Sequence, residues 1–85
     1  MNKLIIFTGP YCPKCKTLKE VLNDSPPKNA EVVYEDTSVD LTLARQYNIR
    51  KLPSVLLVDE TNSVISSITG GDVTLNTLRG IGIEF

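Results

Sequence analysis

The motif Cys12-Pro13-Lys14-Cys15 follows directly on the apolar run Lys3-Leu4-Ile5-Ile6-Phe7 and the breaker Thr8-Gly9-Pro10. Two sulfurs three residues apart meet without large backbone movement in the first turn of a helix, where residues i and i+3 lie side by side. The residues that follow have that helical period. Cys15, Leu18, Val21 and Leu22 fall on one stripe, with lysines and Glu20 on the other. Asp24-Ser25-Pro26-Pro27 ends the pattern, because proline cannot continue a helix and biases the residue before it out of the helical region. The chain is thus expected to run from a buried strand into a helix with Cys12 at its N-cap.

The remaining pattern extends this unit. Val32-Val33-Tyr34 reads as a second strand. Thr37 to Asp40 offers helix caps, with an acid three residues after Thr37. Leu43, Ala44 and Tyr47 then mark the inner face of a short helix, and Asn48 suits a left-handed terminator. Ser54-Val55-Leu56-Leu57-Val58 is nearly unbroken in apolar character, which predicts a strand buried on both faces. Val64-Ile65-Ser66-Ser67-Ile68 follows after a polar turn, close enough for an antiparallel hairpin. Asp72 is read as the cap of a last helix carrying Val73, Leu75 and Leu78, and Gly80 as its stop. The tail Ile81–Phe85 is apolar enough to pack back, with no conformation assigned. The predicted fold class is α/β: a βαβαββα order, with a four-stranded mixed sheet and helices on both faces. The first two strands are expected to be parallel with a right-handed crossover. Residues 1–85 read as one domain.

A chain of 85 residues buries a little over half of its extended surface, so it needs its apolar residues in one core. The net charge of −1 gives no basic face for nucleic acid, and no run approaches the ~20 apolar residues of a membrane span. The first apolar run is too short for an export signal, so a cytoplasmic, reducing location is expected. A monomer is expected.

Two cysteines in a reducing compartment need a reason. A four-residue loop makes a poor structural staple. A zinc site takes four ligands, mostly cysteine and histidine, and the chain has two cysteines and no histidine. Buried core filler is the third bland reading. The strand–CxxC–helix context favours redox chemistry over all three, with no metal or cofactor expected. At the N-cap, the Cys12 sulfur would face unpaired backbone N–H groups and the positive end of the helix dipole, which favour the nucleophilic thiolate. Lys14 and Lys16 add positive charge, Pro13 suits the first helical position, and Cys15, one turn in, would be the more buried, resolving thiol.

Tyr11-Cys12-Pro13-Lys14-Cys15, together with Tyr47-Asn48-Ile49-Arg50-Lys51-Leu52-Pro53-Ser54, resembles the thioredoxin/glutaredoxin superfamily over nearly the whole chain. The resemblance implies a thioredoxin fold in which Pro53 is the cis-proline opening the third strand beside the cysteines. The Leu52 backbone would pair with the target peptide, with Tyr11, Pro13 and Lys14 flanking it. Without the cysteine motif, Pro53 would read as a trans proline starting a strand. Gly70-Gly71 matches the glycine loop near the active site, or is simply a loose turn; Asp72 resembles an acid that binds the glutathione amine, or is only a cap.

The chain departs from thioredoxins in its Pro13-Lys14, in its Tyr11 and in having no evident buried acid in the first strand or helix. From glutaredoxins it departs in the stretch before Pro53. It is most similar to the small glutaredoxin-like thioredoxins of phages, archaea and bacteria, which often supply electrons to ribonucleotide reductase. The implied function is reduction of protein disulfides at Cys12 and Cys15, with a thioredoxin reductase or glutathione as electron source. A glutathione-dependent glutaredoxin and a non-catalytic binding module are the alternatives.

Overall fold

Leu4, Ile5, Ile6, Phe7 and Thr8 are all buried, since their strand is interior to the sheet. The computed structural model describes residues 1–69 and 73–85. Its elements are β1 (Asn2–Thr8), α1 (Pro13–Asp24), β2 (Ala30–Asp36), α2 (Thr42–Gln46), β3 (Ser54–Val58), β4 (Val64–Ile68) and α3 (Leu75–Gly80). The sheet order is β2-β1-β3-β4, with β1 parallel to β2 and antiparallel to β3, and β3 antiparallel to β4. This is the expected βαβαββα mixed sheet.

Side chains of the two central strands alternate between two apolar layers, as the pleat requires. Leu4, Ile6, Val55 and Leu57 meet Leu18 and Leu22 of α1, Leu78 of α3, and Val73 and Ile83 beside it. Ile5, Phe7, Leu56 and Val58 meet Ala44 of α2, with Leu43, Tyr47 and Leu52 packed alongside. Helices therefore cover both faces. The parallel register pairs Thr8 with Asp36, so β1 and β2 end at the same level, where α1 begins.

Several local expectations need correction. Thr37 caps no helix: its N–H and Oγ1 both donate to the Thr8 carbonyl, tying the end of β2 to that of β1. The second helix starts later, at Thr42, whose N–H is taken by the Asp40 carboxylate at 2.8 Å. Asn48 does take the left-handed conformation (φ 58°). Thr74 caps α3, in a reciprocal capping box with Thr77, whereas the expected cap Asp72 and the loop Gly70-Gly71 lie outside the described residues. Gly80 does not stop α3; it is the helix's last residue, and the left-handed turn comes at Gly82 (φ 98°). The tail packs back as its composition suggested. Ile83 is buried, and Lys28 N–H donates to the Glu84 carbonyl while Asn29 bonds both Gly82 and Glu84.

The β3–β4 turn is organised by one carboxylate. Asp59 Oδ1 accepts from the Thr61 hydroxyl and N–H and from the Ser63 N–H, at 2.7 to 3.0 Å. These bonds, the Thr61 hydroxyl foremost, hold the Asp59 pKa below its ordinary value. A lowered folded-state pKa makes this contribution to stability complete above about pH 4 and lost as pH falls through the lowered value. Carboxyl NMR titration should therefore give Asp59 a midpoint below the ~3.9 of an unfolded chain, moved upward by Thr61→Ala. A midpoint at or above that figure in the native protein would show that the turn bonds do not form.

Candidate active site

β1 delivers the chain to Thr8-Gly9-Pro10-Tyr11, and α1 starts one residue after Cys12. Cys12 is the N-cap, in extended conformation (φ −120°, ψ 95°), and its Sγ accepts the Cys15 N–H at 3.2 Å. Pro13, with no N–H to leave unpaired, fills the first helical turn. The two cysteines form a disulfide with their Cα atoms 5.2 Å apart. Cys15 faces the core and is 3% exposed, whereas Cys12 is half-buried at the rim. Of the two, solvent reaches Cys12.

Two clefts meet at Cys12. On one side lie Leu52 and Arg50, facing Tyr11, Pro13 and Lys14 across the opening. Leu52 also packs on the α2-side core, and Gly9 stands so close that a Cβ there would come within 2.9 Å of Leu52 Cδ1. The Leu52–Pro53 peptide bond is cis, and Pro53 is fully buried. Pro53 is not part of the cleft wall; Leu52 is. Below it, the Ser54 hydroxyl, also fully buried, donates to the Lys51 carbonyl.

The other cleft reaches both cysteines from the β2 side and includes Lys16, Lys19 and Asp36. Sequence reasoning missed Lys19 and Asp36 as neighbours of the site. Asp36 accepts from the Ser38 hydroxyl and N–H, which, with the Lys19 ammonium in support, keep its carboxyl below the usual range. Lys19 lies 4.9 Å from the centre of the Tyr34 ring, and burial pushes the Tyr34 phenol up. Only the register, Thr8 opposite Asp36, could have pointed to the carboxylate. Among the described residues no carboxylate is buried, and no cluster of side chains could hold a metal ion.

Comparison with known proteins agrees with this geometry. A family model described as thioredoxin matches residues 1–80. No curated protein matches the sequence. Among solved structures, a thioredoxin variant from Halobacterium salinarum superposes with a TM-score of 0.80 at 21% identity, over 94% of this chain and 70% of that one. The thioredoxin of Trichomonas vaginalis gives 0.76 at 21% identity, over 94% and 76% of the two chains. Reduced Schistosoma mansoni thioredoxin gives 0.75 at 20%, over 94% and 74%. At such identities the structural likeness speaks for the fold, and the family model carries the kinship.

Proposed function

The chain belongs to the thioredoxin family and carries the adjacent cysteine pair of a thiol–disulfide oxidoreductase; from that premise we propose that it is a cytoplasmic electron donor reducing disulfides in protein targets. The observation that supports this most is the asymmetry of the pair: Cys12 caps α1 at the meeting point of two open clefts, while Cys15 is buried, with 3% of its surface exposed. In the reduced protein the Cys12 thiolate occupies the place where its sulfur now accepts the Cys15 N–H.

Cys12 Sγ attacks one sulfur of the target disulfide. That bond breaks, the departing target thiolate takes a proton, and a mixed disulfide links target and protein. Cys15 then gives up its proton and attacks Cys12 Sγ, which releases the second target thiol. The target has gained two electrons and two protons, and the protein is left as the Cys12–Cys15 disulfide. Two electrons from a flavoprotein reductase or from glutathione restore the dithiol. By family resemblance, ribonucleotide reductase is a fitting target.

Insulin reduction driven by a thioredoxin reductase, set beside reduction of hydroxyethyl disulfide driven by glutathione, tests the reading. Fast turnover in the first assay and little in the second supports it. The reverse result would replace it with a glutaredoxin activity. The midpoint potential is expected near the ~−270 mV of a reductant rather than the ~−120 mV of an oxidant.

A further inference from the structure

We propose that the face around Cys12 selects disulfides set among acidic side chains: an extended peptide segment with Asp or Glu within a few residues of the cysteine attacked. This rests on the reductase reading and specifies its substrate class.

The chain as a whole carries a net charge of −1, yet its charge is segregated along the sheet axis. At the end remote from the cysteines lie Asp24, Glu31, Asp59, Glu60 and Glu84, against Lys3, Lys28 and Arg79. At the cysteine end the clefts are lined by Lys14, Lys16, Lys19 and Arg50, against Asp36 alone among the described residues. The cleft beside Leu52 has Lys14 and Arg50 and, among the described residues, no acid. Among the described residues the other acids of this end, Glu35 and Asp40, belong to β2 and the β2–α2 connection, and Asp40 is engaged by the Thr42 N–H.

Lys14, Lys16 and Arg50 form no ion pair with a carboxylate among the described residues, whereas Lys19 lies over the Tyr34 ring and within the field of Asp36. Among the described residues the one ion pair joins the Met1 ammonium to Glu60, at the remote end. Lys14, Lys16 and Arg50 are exposed, and among the described residues Arg50 is held only through its Nε, which donates to Asn48 Oδ1 at 3.3 Å. Its two terminal nitrogens point to no protein acceptor among the described residues. Between the cations stands an apolar platform of Tyr11, 96% exposed, with Pro13 and Leu52. An exposed aromatic ringed by unpartnered cations has the composition of an interface whose apolar centre grips and whose charged rim selects.

The test uses the reduced protein, freed of reductant and mixed with either of two disulfide-cyclised peptides. They have the same ring and differ only in flanking Glu-Glu or Lys-Lys. Single-turnover rates should favour the acidic peptide about tenfold at about 20 mM salt, since opposite charge mainly raises the encounter rate. The ratio should shrink to within about twofold at about 0.5 M salt, where screening reaches only a few ångströms. Lys14→Glu with Arg50→Glu should invert the preference. Both peptides meet the same Cys12, so their ratio is blind to any change in its nucleophilicity. Equal rates at low salt, or a preference that survives high salt, would overturn the charge selection and leave the reductase function standing. Failure to reduce either peptide would overturn the function as well.

Discussion

Cys12→Ser is expected to lower protein-disulfide reduction by about a thousandfold or more, because a serine hydroxyl is neither ionised nor sulfur-nucleophilic at neutral pH. Cys15→Ser is expected to fail differently. Its first exchange proceeds, since Cys12 keeps its place at the helix N-cap, but nothing attacks the mixed disulfide that results. With an excess of an aromatic disulfide, this variant should release one equivalent of aromatic thiol and gain the mass of one adduct. Cys12→Ser should do neither. The fold tolerates both changes, because the reduced state of the cycle already lacks the bond, and circular dichroism with thermal melting checks this. Insulin turbidity persisting in Cys12→Ser above about a tenth of the native rate would sink the assignment of attacker. So would an adduct forming on Cys15 in that variant, for it would mean that the buried thiol reaches substrate first.

How much of this was legible in the sequence differs from element to element. β3 and β4 lie where their patterns put them, and each for its own reason. β3 is central and buried on both faces, so it reads as an unbroken apolar run. β4 is short and bounded by turn residues on its N-terminal side, where Asn62 takes a left-handed conformation (φ 65°). β2 is longer than its apolar centre suggested. It is an edge strand, and the charges Glu31, Glu35 and Asp36 that blurred its ends belong to the ladder.

The stretch from Thr37 to Asp40 misled for a physical reason. Hydroxyl and carboxylate side chains bond backbone groups in turns and strand ends in the same way as at helix caps. Whether Thr37 bonds forward into a helix or across to Thr8 depends on the parallel partner, 29 residues away. The same distance hid part of the site. The cysteine pair and Leu52-Pro53 are local motifs, whereas Asp36 and Lys19 reach the cleft only through the register of β2 on β1 and the path of α1.

Phe7→Ala is expected to have the largest effect on stability, with a loss of about 3–5 kcal/mol. The ring is fully buried in the α2-side layer, with Ile5, Ala44, Leu56 and Val58. Removing it forfeits transfer free energy and leaves a cavity, and the cavity cannot close easily. Phe7 is registered to Glu35 of β2 on one side and to Ser54 of β3 on the other, so its backbone is fixed by two neighbours. Against a total of about 4–13 kcal/mol for a chain of this length, the loss is a large share of the native stability. Urea unfolding of the oxidised protein should show a lower midpoint at unchanged slope. Ile65→Ala, at a position 53% exposed on the edge strand, should shift it by no more than about 0.5 kcal/mol. If the two variants unfolded alike, the α2-side layer would not be the packed support that Leu52 rests on. The wall of the substrate cleft would then owe its position to something other than the core beneath it.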